Sequence, residues 1–301
     1  MISTALAAWI AAPLALGWAQ RSPAGRAELT RLFAACLTMI CLALPLRAGP
    51  DPVDTLIEAL ALGDILEIMR QEGLDYGEDL RAEMFPGRGG GAWPATVARI
   101  YDGARIRQVM RDSLAEELDE TDLAPLIAFF TSETGEKAIS LEVTARRALL
   151  DEAMAEASRE ALAEMRARDD PRLDLLNRFV RVNDLLESNV VGALNANYAF
   201  YLGLVDGGAF PFEVTEDQIL ADVWSQEADI RLETEQWLYA YLALAYDPLS
   251  DRELEAYIGI SESPEGQALN RALFEAFDVL FRQISRELGL AAARLIAGED
   301  I

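Results

Sequence analysis

Ser263–Ala297 reads SPEGQALNRALFEAFDVLFRQISRELGLAAARLIA. Within it Leu269, Leu273, Phe277, Leu280, Ile284, Leu288 and Leu295 recur at spacings of three, four and seven. Those spacings put all seven side chains on one face of an α-helix. Ser263 followed by Pro264 is a start signal: the serine caps free N–H groups, and the proline has no N–H to lose at the first helical position. No second proline interrupts the run, so the spacing predicts one long helix. Burying its apolar stripe contributes roughly 10–20 kcal/mol before chain entropy is subtracted.

The same pattern occurs earlier. Between Ser132 and Arg168 there is no proline, and Ile139, Val143, Leu150, Met154, Ala157, Ala161 and Met165 form a second stripe. This predicts another long helix. Elsewhere Ala, Leu, Glu and Arg dominate, and no alternating run of β-branched and aromatic residues exceeds five positions. Asp51-Pro52 and Asp170-Pro171 are further cap-then-proline starts, and Thr215–Gln218 and Ser250–Glu253 have the capping-box pattern. The fold class that follows is all-α, a helical bundle with no significant sheet. Phe85–Gly91 and Asp206–Phe212 are the two stretches that read as irregular loops.

The first 48 residues differ from the rest. Met1–Gln20 carries no charge, Arg21, Arg26 and Arg31 follow, and Leu32–Leu46 is a second uncharged stretch before Arg47-Ala48-Gly49. A basic start, a short apolar run and a small residue at the exit describe a secretory signal peptide cut after Ala48. The apolar segment upstream fits a start codon assigned too early. A membrane hairpin is the rival reading, although Leu32–Leu46 is shorter than the ~20 residues that span a bilayer. The expected location is periplasmic or secreted, with membrane contact only through residues 1–48 if they stay attached.

Charge and composition exclude several functions. Lys+Arg is 26, Asp+Glu is 51 and there is no His. Catalytic triads, Cys–His dyads and His-ligated metals are therefore impossible. Nucleic acid is an unsuitable partner, because phosphate binding needs a basic face. Without residues 1–48 the net charge becomes −28 and both Cys, Cys36 and Cys41, are lost. No cofactor or metal site is expected: Glu116–Asp122 is acidic but lacks calcium-loop spacing, and Gly87–Gly91 lacks the strand and the Gly-Lys-Ser/Thr of a phosphate loop.

A further pattern recurs along the chain: Leu118, Leu123, Ser132 and Gly135 return 131 residues later as Leu249, Leu254, Ser263 and Gly266. Trp93 and Trp224 share that offset. Asp51-Pro52 and Asp64–Glu67 match Asp170-Pro171 and Asp184–Glu187 at offsets of 119 or 120. The expectation is two tandem copies of a helical unit, residues 49–169 and 170–301. Each copy carries a turn motif: Ser132 and Gly135 in the first, Ser263, Pro264 and Gly266 in the second. The serine caps a helix, and a glycine three residues on is expected where two backbones approach closely.

The turn segments Phe129–Lys137 and Gly259–Gln267 resemble the helix-turn-helix signature of a bacterial family catalogued as domain of unknown function 2059. The second segment lacks an aromatic directly before the turn, and the first has Glu133 where the signature has proline. The resemblance implies an exported, Ala/Leu-rich helical protein and brings no activity with it.

Asn183–Tyr201 is the most unusual stretch, with four Asn beside Tyr198, Phe200 and Tyr201. Such amides need partners if buried, so they either form a core network or line a polar, aromatic groove. If a cleft lies between the copies, Asn195, Tyr198, Tyr201 and Trp237 are the candidates to line it. The functional expectation is a non-catalytic binding or interaction module of the cell envelope, its partner an envelope protein or a small ligand. The alternatives are a carboxylate-dependent hydrolase of an envelope polymer and a membrane-tethered scaffold.

Overall fold

The computed structural model describes residues 51–298; the proposed leader and both Cys lie outside the described residues. Thirteen helices follow one another and no strand occurs among the described residues. They are α1 (Pro52–Ala59), α2 (Leu62–Met84), α3 (Ala92–Ile100), α4 (Gly103–Glu117), α5 (Ala124–Phe130), α6 (Glu133–Ala148), α7 (Glu152–Ala167), α8 (Arg172–Val182), α9 (Leu185–Gly207), α10 (Glu216–Ser225), α11 (Glu227–Tyr246), α12 (Asp251–Glu262) and α13 (Pro264–Ile296). The all-α expectation is met.

Three starts are those the caps dictate, whereas after Asp170-Pro171 the helix begins one residue later than expected, at Arg172, with Asp170 accepting from Arg172 N at 3.0 Å. Asp51 accepts from Val53 N at 2.9 Å, and both capping boxes, Thr215 with Gln218 and Ser250 with Glu253, are closed in both directions. The two serine turns share one geometry. Ser132 Oγ donates to Phe129 O (2.6 Å) and accepts from Gly135 N (3.2 Å). Ser263 Oγ donates to Ile260 O (2.7 Å) and accepts from Gly266 N (3.0 Å). A Cβ on Gly135 would overlap the carbonyl oxygen of Phe129, and one on Gly266 that of Ile260. The glycine is thus the residue that lets the new helix fold back against the last turn of the old one.

Helix α13 is the spine. All seven residues of its stripe are buried. It runs beside α9 in the same direction, with contacts that advance together: Asn270 Nδ2 donates to Asn183 O, Asn195 Nδ2 to Asp278 Oδ1, and the backbones meet where Gly203 faces Arg286. The C-terminal half of α13 then reaches the first half of the chain, packing on α3 and α4, where Arg105 Nη1 bonds Glu287 at 2.6 Å.

The second predicted long helix is two helices. The segment after Ser132 stops at Ala148, and α7 restarts at Glu152 with Asp151 as its cap, accepting from Ala153 N and Met154 N. The break resets the helical phase. Leu150 and Met154, expected inside, are 44% and 42% exposed, and Ala157 and Ala161 are exposed as well. Ser158 and Leu162 face inward instead, and Ser158 Oγ donates to Ala240 O of α11. The loop after α9 is also shorter than expected, because the helix continues to Gly207 and ends on left-handed Gly208.

Element order runs in parallel through the two halves. A short helix (α1, α8) leads into a 23-residue helix (α2, α9), and each of these long helices is entered through a left-handed residue, Ala61 (φ 47°) or Asp184 (φ 46°). The matched tryptophans do not fit this order: Trp93 is the second residue of α3, whereas Trp224 is the ninth of α10.

Candidate functional site

The groove between α9 and α13 holds a cavity of about 180 Å³. Its apolar walls come from Phe274, Phe277 and Phe281 on α13 and from Val191 and Ala193 on α9, with Gly192 keeping the entrance open. Val191 is 52% exposed at the rim. At one end stands a polar pair: Asn195 Nδ2 donates to Asp278 Oδ1 at 2.8 Å, and Arg282 Nη1 lies 3.2 Å from Asp278 Oδ2. The Asn195 carbonyl and the Asp278 carboxylate offer acceptors beside an aromatic wall. That combination suits an apolar or aromatic group carrying an N–H or O–H donor. The volume is below the roughly 300–1,000 Å³ of sites for drug-sized molecules, so it matches a side chain or a small ring.

The four residues proposed for a cleft do not converge. Asn195 lines this groove. Tyr198 OH donates to Glu216 of α10 at 2.6 Å, and this hydrogen bond, with burial, raises the tyrosine pKa. Tyr201 is buried in a satellite cluster with Ile219 and Val223 of α10. Trp237 sits on α11, stacked on Tyr241 at 5.1 Å. The reason is geometric: residues 195, 198 and 201 are spaced by three, so each step turns about 60° backward around the helix. The remaining amides are tied down. Asn183 and Asn189 donate to carbonyls one turn back, at Phe179 and Leu185, and Asn197 donates to Gln226.

A polar centre that the stripe reading missed lies where α6, α11 and α12 meet. Glu142 is 1% exposed and accepts from Tyr246 OH and Tyr257 OH, each at 2.8 Å. Burial, then the Glu142 carboxylate, pushes both tyrosine pKa values well up. One turn on, Arg146, also 1% exposed, donates to Glu72 at 2.6 Å and lies 4.8 Å over the Trp237 ring. The sequence signal is a Glu and an Arg four apart, Glu142 and Arg146, on the buried side of α6 with Ile139 and Ala145. The centre is closed to solvent, so its work is to join α2, α6, α11 and α12.

The carboxyl groups that shift all shift down. Glu78 and Glu187 are lowered first by hydrogen bonds from Arg81 and Arg231, Asp170 by the backbone N–H of Arg172, and Glu253 to about 2, chiefly by Lys137 and then Ser250. No group of three or more potential metal ligands gathers among the described residues, and no helix there is long and apolar enough to cross a membrane.

No curated protein and no solved structure matches the chain. Residues 104–164, from α4 into α7, match the model of a family described as an uncharacterized protein conserved in bacteria (DUF2059), which supports that family for the stretch holding Ser132 and Gly135; the turn at Ser263 and Gly266 lies outside the match.

Proposed function

We propose that this chain is an exported, non-catalytic binding module of the cell envelope. Residues 1–48 act as its leader, and two divergent copies of one helical unit, 49–169 and 170–301, form its body. The α9/α13 groove carries the reading: three phenylalanines and the Asn195–Asp278 pair make a small amphipathic pocket at the surface. Support for duplication comes from the matched turns, the two 23-residue helices and their left-handed entries.

The test is an NMR titration with N-acetylphenylalaninamide and, separately, N-acetylglucosamine. The reading expects saturable shifts at the Asn195 side-chain amide and the Gly192 N–H with at least one probe, the Gly192 shift being lost in Asn195→Ala. Shifts absent from both groups, or unchanged in the variant, would remove the groove as the site. Intact-mass analysis of exported protein should begin at Gly49; a form that retains Met1 would remove the leader.

A further inference from the structure

Helix α10 presents an apolar face to solvent. Leu220 and Trp224, one turn apart, are 39% and 64% exposed, while Ile219 and Val223 are buried against α9. The fifth and ninth positions of α3, the corresponding helix of the first half, are Thr96 and Ile100. Both are buried, and they face Leu290 and Ala291 of α13. The cover over that face is therefore a helix. The helix after α6, α7, packs on α11 much as α13 packs on α4, and Leu220 and Trp224 remain open.

Charge selects what fits there. From Asp206 to Ile230 there are seven carboxylates and no Lys or Arg. Glu216, which accepts from Tyr198, and Asp217 stand one turn before Leu220, at the N-terminal end of the apolar pair. The chain's net charge of −25 repels a second copy and an anionic bilayer alike. We propose that the Leu220–Trp224 face docks an amphipathic helix of a partner protein whose apolar stripe is flanked by Lys or Arg. The comparison with α3 rests on the duplication; the exposure and charge arguments stand without it, as does the α9/α13 groove.

The test uses the full chain and two synthetic amphipathic peptides of equal length and apolar face, one Leu/Lys and one Leu/Glu. Binding is read by tryptophan emission and calorimetry. The Leu/Lys peptide should bind with a blue shift, and Trp224→Ala should weaken it about tenfold or more, as for a central aromatic anchor. Asp217→Lys should weaken it severalfold. Met154→Ala, an exposed apolar change on α7, should leave it unaltered, and circular dichroism should show all three variants folded. Several results would overturn the proposal. They are absent binding of the Leu/Lys peptide, equal binding of the Leu/Glu peptide, full binding by Trp224→Ala, or Trp224-dependent dimers or anionic-vesicle binding.

Discussion

After Ser132 the chain makes sixteen helical residues, α6, stops at Ala148 and restarts at Glu152; after Ser263 it makes thirty-three without a stop, α13. The two turns that launch these helices have the same hydrogen bonds. What differs is the residue chemistry that follows, at equal distance from each turn. Glu142 and Arg146 occupy the places where α13 has Leu273 and Phe277, and all four are buried. Leu150, at the break, is exposed, whereas its counterpart Phe281 is 5% exposed and packs on Phe277. Two turns of the same geometry therefore launch unlike helices. The unbroken helix becomes a spine that walls a groove with α9 and reaches back over α3. The broken one locks the halves together through a buried polar centre and leaves α10 uncovered.

The largest effects should come from the residues that divide these helices. Phe281→Ala and Phe277→Ala should each cost about 3–5 kcal/mol in chemical denaturation, as truncations of buried aromatics do. Arg146→Ala should fall near 3 kcal/mol, because it strands the partly buried Glu72 carboxylate. A near-neutral Arg146→Ala would mean that the ion pair with Glu72 does not hold α6 to α2.

Next come the shared glycines. Gly135→Ala and Gly266→Ala each push a methyl group into a backbone carbonyl, which should cost about 1–3 kcal/mol despite alanine's better helix propensity. Unequal costs would separate the two turns. Asp151→Ala should cost about 1 kcal/mol, the worth of a helix cap.

A smaller effect, and a pH-dependent one, belongs to Glu253, which joins α12 to Lys137 of α6 at 2.8 Å and closes its own capping box. Its folded pKa, about 2, is below its ordinary value of 4.5. The folded state therefore binds this proton less readily than the unfolded chain. Its stabilising contribution is complete above about pH 4.5 and is lost as pH falls from there through about 2. Glu253→Gln should lower Tm at neutral pH slightly and flatten the acid limb in that window. An unchanged acid limb would remove the link between the halves at this point. Smallest of all, Leu150→Ala should change stability by less than about 0.5 kcal/mol, as an exposed position does.

How much of this the sequence carries depends on the kind of interaction. The helices of α13, α12 and α10 were legible because caps and apolar spacing are local properties. The break at Leu149–Asp151 was not read, although Asp151 before Glu152 is a cap signal, because the apolar spacing continued through it. Glu142 and Arg146 are invisible to a stripe of apolar residues, since their burial depends on distant partners: Tyr246 and Tyr257 for Glu142, Glu72 and Trp237 for Arg146. Of the cleft candidates, Asn195 faces the groove; Tyr198, Tyr201 and Trp237 follow their own helix faces to other neighbours.

Native-state hydrogen exchange at the two sites equally far from each turn is the sharpest measurement of this difference. The amides of Phe281 and Arg282, inside α13, should exchange only through global or near-global opening. Those of Leu150 and Asp151, bonded in the short turn to Arg147 and Ala148, should exchange orders of magnitude faster. Equal protection at the two sites would mean that α6 and α7 are one helix.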